Sequence, residues 1–132
     1  MIIKTGDEVA EFVGDALGFG VSPPWTAMGL EKDGKIVAGV IFHCFEGFNV
    51  HLTVAGHGWT RGFFREVGAY VFGALKCERM TFTTENPSVA RLGEKLGGKI
   101  EGLMRNQFGK GRDGYLIGVL KDEYRFWKGA DT

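Results

Sequence analysis

The stretch TTENPSVARLGEKLGGKIEGLMR, residues 83–105, decides how this chain is interpreted. Its order indicates a strand end, a turn at Asn86, a short helix over Ser88–Leu96 and a new strand after Gly97–Gly98. The helix carries a glycine at position 93, which costs about 1 kcal/mol relative to alanine. A helix built only for stability would avoid a glycine at this position. Gly93 therefore raises the question of whether the segment is a packing unit or one wall of a ligand site.

The composition predicts one globular domain over residues 1–132. Hydrophobic residues make up 44% of the chain and charged residues 24%, which is ordinary for such a domain. Sixteen basic residues balance sixteen acidic ones. Because the net charge is zero, no overall field attracts the protein to nucleic acid or to an anionic membrane. We therefore expect neither as a partner.

The chain shows no signal for a membrane or for secretion. No apolar run approaches the roughly 18 residues that a membrane helix needs, and the first residues, MIIKTGDEVAEF, lack a long apolar segment. The two cysteines, Cys44 and Cys77, do not have metal-ligand spacing, so we expect two reduced, buried thiols and no metal. These features predict a cytoplasmic protein.

Hydrophobic periodicity and turn residues predict the element order β-α-β-β-β-α-β-α-β-β. We predict strands at 2–3, 25–31, 36–45, 48–55, 80–84, 99–107 and 115–120, and helices at 7–17, 60–76 and 88–96. The first helix would be capped by Thr5 or Asp7, and the second by Thr60. This order predicts the α/β (α+β) class, with a mixed central sheet of about six to seven strands flanked by three to four helices.

The element order and the opening stretch resemble the GNAT acyltransferase superfamily. In that family the fifth strand is followed by asparagine, a helix ending Glu-Lys-Leu-Gly, then Glu-Gly and often arginine. The matching positions here are Asn86, Glu94-Lys95-Leu96-Gly97, Glu101-Gly102 and Arg105. The resemblance covers Gly34 to Trp127 and is strongest toward ribosomal-protein N-terminal acetyltransferases and short phage-encoded relatives. It implies a GNAT-like fold and transfer of an acetyl group from acetyl-CoA to a primary amine.

The resemblance also implies that the loop before the main helix holds the pyrophosphate of coenzyme A through backbone N–H groups. The family motif there is Arg/Gln-x-x-Gly-x-Gly/Ala. In this chain Arg61 is followed by Phe64 and Glu66 at the two glycine positions, so the motif is degenerate. The candidate cofactor-binding residues in this loop are Gly58, Trp59, Thr60, Arg61, Gly62 and Phe63.

Four further cofactor contacts follow from the resemblance, each beside a structural alternative. Asn86 either hydrogen-bonds the pantetheine amides, or the carbonyl near them, or has a helix-capping or turn role. Arg91 and Lys95, four residues apart, either meet the 3′-phosphate or form a solvated basic face. Gly93 would face the pantetheine channel, at a position where many relatives carry a tyrosine that acts as general acid. Ser88 is predicted as the cap of this helix rather than as a nucleophile.

His51 is the candidate general base, because an alkylammonium must lose a proton before it attacks a thioester. The alternative is a hydrogen-bonded structural histidine. If Glu46-Gly47 is a two-residue turn, His51 lies opposite Phe42 and His43 projects to the other face. Under the same register Cys44 belongs to an inert apolar strand.

The oxyanion donor would be a backbone N–H near Thr53–Val54, by analogy with the family. Thr53 therefore joins His51 as a candidate catalytic position, and Val54 joins the cofactor site.

Two functional hypotheses remain open. The first is an acetyl-CoA-dependent N-acetyltransferase with an unidentified amine acceptor. The second is a catalytically inactive GNAT-fold protein with a binding or structural role, for example in a phage particle, which the degenerate loop and Gly93 favour. Trp59 and Trp127 are candidate surface anchors for a second subunit, and a homodimer is one open alternative. One helix precedes Trp25 where the family usually has two, so the acceptor is not defined.

Overall fold

The computed structural model describes residues 1–127, whose core is a seven-stranded mixed sheet with helices packed on its two faces. The predicted element order is confirmed. The elements are β1 (Ile2–Thr5), α1 (Asp7–Leu17), β2 (Trp25–Lys32), β3 (Lys35–His43), β4 (Asn49–Gly56), α2 (Arg61–Gly68), β5 (Arg79–Thr84), α3 (Pro87–Lys95), β6 (Lys99–Met104) and β7 (Gly114–Leu120). A π-helical segment, Ala69–Ala74, continues α2.

The strand order is β1-β2-β3-β4-β5-β7-β6. Within residues 1–127, β4 and β5 are the only parallel neighbours, and α2 with its π-helical segment makes the crossover between them. Their pairing ends at Leu52 and Phe82. Beyond these residues β4 continues to Gly56 on β3, and β5 continues to Thr84 on β7. The two strands therefore diverge, and the sheet opens at its centre.

Each face of the sheet has its own apolar cluster. On one face α1 packs Val9 and Val13 against Ile41 and Ala55. Gly39 allows this close approach, since a Cβ there would lie 2.9 Å from Val13. On the opposite face α2 and α3 cover the larger cluster, to which α2 contributes the fully buried Phe63. No helix within residues 1–127 has the length and apolar character to cross a bilayer.

Two predicted helix caps are wrong. The N-cap position of α1 is Gly6, with φ of 87°, and not Thr5 or Asp7. This glycine makes no side-chain capping hydrogen bond. Asn86 rather than Ser88 caps α3, and its side chain accepts a hydrogen bond from the Ser88 N–H at 2.9 Å. The Thr60 cap on α2 is confirmed, since its hydroxyl accepts from the Phe63 N–H at 3.1 Å.

The predicted register between β3 and β4 is also wrong. Strand β3 ends at His43, because Cys44 has a φ of 49° and turns the chain out of the sheet. The connection is Cys44–Phe48 instead of a two-residue turn, and His51 pairs with His43 rather than with Phe42. Both histidines consequently lie on one face. Cys44 is exposed and free, while Cys77 is buried as expected.

Candidate active site

The opening between β4 and β5 exposes backbone groups of β4. The Arg79 N–H bonds to the Phe48 carbonyl at 3.1 Å, and the His57 N–H bonds to the Val37 carbonyl at 2.9 Å. Because strand residues alternate their hydrogen-bonding direction, even-numbered residues of β4 point toward β5. Val54 lies beyond the last paired residue, Leu52, so its N–H is directed into the opening.

A cleft of about 930 Å³ lies on the side of this opening that α1 leaves uncovered. Its floor is made by β4 and β5, and its walls by the loop after α1 and by the segment near Phe108. Phe19 and Phe108 approach across it with ring centroids 6.2 Å apart. The volume is in the range of small-molecule sites. A single helix precedes Trp25, as expected, and leaves the cleft open to solvent.

His51 lines this cleft and is paired with a carboxylate. Its Nε2 lies 3.0 Å from Oε1 of Glu46, and its side chain is 38% exposed. The pKa of Glu46 is held below its ordinary value by a hydrogen bond from Asn49, and further by His51. Glu46 is therefore ionised near neutral pH and accepts both hydrogen bonds.

A chain of polar side chains runs from this pair along the same face of the sheet, across β5 to β6. The Asn49 amide donates to Glu46 at 2.9 Å and accepts from the Thr81 hydroxyl at 2.8 Å. Arg79 Nε donates to that hydroxyl at 3.1 Å, and the guanidinium pairs with Glu101 at 2.7 Å. Each member is held by the next, so the carboxylate beside His51 sits in a supported position.

His43 is a second histidine in the same cleft. Its ring centroid lies 6.1 Å from that of His51, and its Nε2 lies 2.8 Å from the Thr53 hydroxyl. Its pKa is lowered by burial and by the neighbouring His51. The Thr53 side chain is thus bound to His43.

The opposite side of the opening is narrow and apolar. A cavity of about 40 Å³ lies between the sheet and the two helices, and its walls include Trp59, Phe63 and Phe64. Trp59 and Phe64 stack with centroids 6.0 Å apart, and Phe64 also contacts Phe126 at 5.4 Å. We call Trp59, Phe63, Phe64 and Phe126 the aromatic wall. Both cavities share Leu52, Val54, Phe82 and Val89 as lining residues.

The predicted pyrophosphate loop lies at the N-terminus of α2. Gly58 adopts a φ of 79°, and Gly62 packs closely, since a Cβ there would lie 2.9 Å from the end of the Met1 side chain. The Thr60 hydroxyl caps the Phe63 N–H and lies 3.3 Å from the Met1 sulfur. The Phe63 N–H of this helix end is therefore engaged by the cap, and the Met1 side chain lies against Gly62.

Three arginines share one surface pocket next to this loop. The pocket of about 520 Å³ is lined by Arg61, Arg65, Arg125, Phe126 and Trp127. All three arginines are exposed. The sequence pointed to Arg61 alone, since Arg125 is distant in sequence and reaches α2 only through the chain after β7.

Gly93 and Asn86 have clear structural roles. A Cβ at Gly93 would lie 2.7 Å from Phe82 and 3.0 Å from Ile117, so the glycine lets α3 sit directly on the sheet. Gly93 also lines the small cavity, as the channel hypothesis required. Asn86 caps α3 and reaches the edge of the large cleft. Arg91 and Lys95 are exposed on α3, and Arg91 lies 3.4 Å from the Ser88 hydroxyl.

Trp59 and Trp127, the predicted subunit anchors, pack against the chain's own core. Trp127 covers Gly68 and Gly73, and its ring packs at a tilt against Phe72 with centroids 5.8 Å apart. The homodimer stays a prediction. Sequence reasoning missed Glu46 and the Thr81–Arg79 support, and it placed His43 on the wrong face, because the turn between β3 and β4 was misassigned.

No protein-family model and no curated protein matches this sequence. Solved structures do match. A spermidine N-acetyltransferase from Vibrio cholerae in complex with CoA and spermine aligns with a TM-score of 0.64 and 17% identity, over 76% of this chain and 68% of that one. A mutant of SpeG from the same organism aligns with a TM-score of 0.73 and 12% identity, over 95% and 98%. A dodecameric form aligns at 0.71 and 13%, over 94% and 95%.

These similar structures belong to the GNAT superfamily, and this chain has the GNAT acyltransferase fold. The predicted fold class is confirmed, with seven strands and three helices. The finer resemblance to ribosomal-protein acetyltransferases and phage proteins stays a prediction.

Proposed function

We propose that the protein is an N-acetyltransferase that moves an acetyl group from acetyl-CoA to a primary amine by direct attack. The observation that carries this proposal is the divergence of β4 and β5 after Leu52 and Phe82. His51, the proposed base, and Val54, the proposed oxyanion donor, both line the cleft at this divergence. The fold and the coenzyme A bound by a similar enzyme support the same reaction.

In this proposal His51 takes a proton from the acceptor ammonium, and the neutral amine attacks the thioester carbonyl carbon. The Val54 N–H donates to the carbonyl oxygen as it gains negative charge. The C–N bond forms, the C–S bond breaks, and the departing thiolate takes a proton from the attacking nitrogen. Gly93 provides no acid for that last step. The His51 proton returns to solvent.

The residues present fit the two ends of coenzyme A unequally. At the phosphate end, α2 presents its N-terminus, and Arg61, Arg65 and Arg125 provide charge beside it. Arg91 and Lys95 on α3 are the alternative for the 3′-phosphate. Along the pantetheine arm only about 40 Å³ is open, so Trp59 and Phe64, both half-buried, must move aside.

The acceptor is a primary amine, and spermidine is the first to test because similar enzymes carry its name. The open cleft also admits an amine on a larger molecule. We propose the cytoplasm as the compartment.

A second candidate is a GNAT-fold binding or structural protein without catalysis. The aromatic wall favours it, because its side chains occupy the cofactor route. The Met1 side chain also favours a protein without catalysis, because it lies against Gly62 in the predicted pyrophosphate loop.

The deciding experiment is calorimetry with coenzyme A, followed by detection of released thiol with acetyl-CoA and spermidine or a peptide N-terminus. We expect binding, and we expect Gly62→Glu to weaken it at least tenfold by placing a carboxylate at the phosphate loop. Asn86→Ala should also weaken it, while its loss of the α3 cap is measured separately by melting. No binding at millimolar ligand would leave only the non-catalytic function.

A matched pair of double variants locates the 3′-phosphate. Arg61→Ala/Arg65→Ala removes charge at α2, and Arg91→Ala/Lys95→Ala removes charge at α3. We expect the first pair to weaken coenzyme A binding more than the second, and the difference to be smaller with dephospho-coenzyme A, which keeps the pyrophosphate but lacks the 3′-phosphate. The reverse order would indicate that the 3′-phosphate binds at α3.

A further inference from the structure

In each hydrogen bond of the network that supports Glu46, the donor and the acceptor can be assigned. An arginine side chain only donates hydrogen bonds. The Thr81 hydroxyl therefore accepts from Arg79 Nε at 3.1 Å and gives its own hydrogen to Asn49 Oδ1 at 2.8 Å. The Asn49 NH₂ group then faces Glu46 Oε1, to which it donates at 2.9 Å.

The same carboxylate oxygen lies 3.0 Å from Nε2 of His51. An ionised carboxylate has no hydrogen to give, so Nε2 must carry the hydrogen of this bond. The Asn49 nitrogen also lies 3.2 Å from Nε2, and a hydrogen bond there would need the lone pair on Nε2. The shorter contact to an ionised carboxylate decides the tautomer, because hydrogen bonds to charged groups are the stronger ones. In the neutral ring the lone pair then resides on Nδ1. No protein group within residues 1–127 is hydrogen-bonded to this nitrogen.

The backbone around Glu46 is also fixed. Its N–H donates to the Asn49 carbonyl at 2.8 Å, and its carbonyl accepts from the Phe48 N–H at 2.9 Å. Gly47, with a φ of 79°, makes this tight turn. A side chain on such a turn is held in place even though 61% of it is exposed.

We infer that Glu46 is a positioning residue that fixes His51 as the Nε2–H tautomer, so that Nδ1 takes the proton from the acceptor amine. This inference rests on the proposed function. It assigns the nitrogen that acts and a carboxylate that the sequence did not indicate. Asn49, Thr81 and Arg79 hold that carboxylate in turn.

The charged and titratable groups facing His51 come from three elements. They are Glu46 and Cys44 on the β3–β4 connection, His43 on β3, and Arg79 on β5, which acts through Thr81 and Asn49. Of these groups, Glu46 is the one that is hydrogen-bonded to the His51 ring.

The test begins without coenzyme A, on ¹⁵N-labelled full-length protein. Long-range ¹H–¹⁵N spectra report which ring nitrogen of His51 carries the hydrogen. We expect the Nε2–H form in the wild type and a mixture of tautomers in Glu46→Ala. Glu11→Ala, an exposed carboxylate on α1, is the matched control and should leave the spectrum unchanged. An Nδ1–H form in the wild type would overturn the inference.

The second arm measures transfer kinetics. We expect Glu46→Ala to lower kcat about tenfold with little change in KM for the amine. His51→Gln should lose about 100-fold. Unchanged kcat in Glu46→Ala would remove its role in proton transfer. Absence of transfer in the wild type would defeat the proposed function, while the spectrum alone still decides the tautomer.

Discussion

The two sides of the opening between β4 and β5 are built from the same strands but have opposite chemistry. Toward the helices the residues enclose about 40 Å³ lined by aromatic and aliphatic side chains. Toward solvent they border about 930 Å³ with His43, His51 and Thr53. Because successive strand residues point to opposite faces, residues 49–54 supply both surfaces.

The difference shows where the two candidate functions separate. On the solvent side the proposed base, His51, is already hydrogen-bonded to a supported carboxylate, and the proposed reaction needs no rearrangement there. The helix side must move Trp59 and Phe64 before a pantetheine arm can pass. Access for the thioester, rather than the base, is therefore the property that distinguishes an enzyme from a binding protein here.

The largest effect should come from opening the narrow side. Phe64→Ala removes a half-buried ring that contacts Trp59 and Phe126. We expect it to lower the free energy of unfolding by about 2–3 kcal/mol, below the value for a fully buried ring. Coenzyme A should bind about tenfold more tightly, because a displacement cost of about 1.4 kcal/mol is removed.

Denaturant unfolding and calorimetry measure the two quantities. Phe48→Ala is the control, since that ring is 73% exposed on the β3–β4 connection, and its unfolding free energy should change by less than about 0.5 kcal/mol. A Phe64→Ala protein that is destabilised but binds coenzyme A no better would place the cofactor route elsewhere.

The second prediction concerns how closely α3 packs on the narrow side. Gly93→Ala would normally stabilise a helix, but here the new Cβ meets Phe82 at 2.7 Å. The same Cβ would lie 3.0 Å from the fully buried Ile117, so two core side chains would have to shift. We expect a loss of about 1–2 kcal/mol in unfolding free energy.

Gly73→Ala is the matched helical control, because its Cβ would make ordinary contacts with Trp127 at 3.7 Å or more. It should be neutral or slightly stabilising. Equal effects of the two substitutions would show that α3 packs less tightly than the structure has it.

The position of Gly93 also shows how much of the structure the sequence could predict. Asn86, Gly97 and the apolar spacing between them identified a strand–turn–helix–strand unit and, with the element order, the fold. The sequence left open whether Gly93 was a packing residue or a lost acid. That choice depends on the distance from α3 to Phe82, a residue on another element, which no local pattern encodes.

The sheet face that carries the candidate active site was harder to predict, because it depends on the backbone conformation of Cys44. Cys44 takes a φ of 49°, which is uncommon for a residue other than glycine. A turn placed at Glu46-Gly47 shifted the register by one residue, and a shift of one sends every side chain to the other face. His43 was therefore assigned to the wrong side. His51 was chosen from its chemistry and faces the cleft in the structure.

The third prediction concerns the bond that ties the chain after β7 to the aromatic wall. The buried Tyr124 hydroxyl donates to the Phe64 carbonyl at 2.6 Å, and burial raises the pKa of this phenol. Tyr124→Phe should cost about 1 kcal/mol in unfolding free energy. Tyr115→Phe, on a half-buried ring of β7, is the control. If both variants are equally stable to heat, the hydrogen bond of Tyr124 makes no net contribution to the free energy of unfolding.

The smallest effect should appear on the open side, as a pH dependence of stability. The pKa of His43 is lowered from 6.5 by burial and by His51, so the unfolded chain takes up this proton more readily than the folded one. Stability from this group is therefore complete above about pH 6.5 and declines as the pH falls through the folded-state value.

His43→Gln removes the titration while keeping a polar group near Thr53. Between pH 7.5 and 5.5, the wild type should lose more unfolding free energy than the variant, by less than about 1 kcal/mol. That window lies above the range in which Glu46 titrates, since the pKa of that carboxyl is lowered from 4.5. Parallel pH dependence in both proteins would mean that His43 is as well solvated in the folded state as in the unfolded one. The polar side of the opening would then be wetter than its contacts indicate, and His51 would work in a more water-like environment.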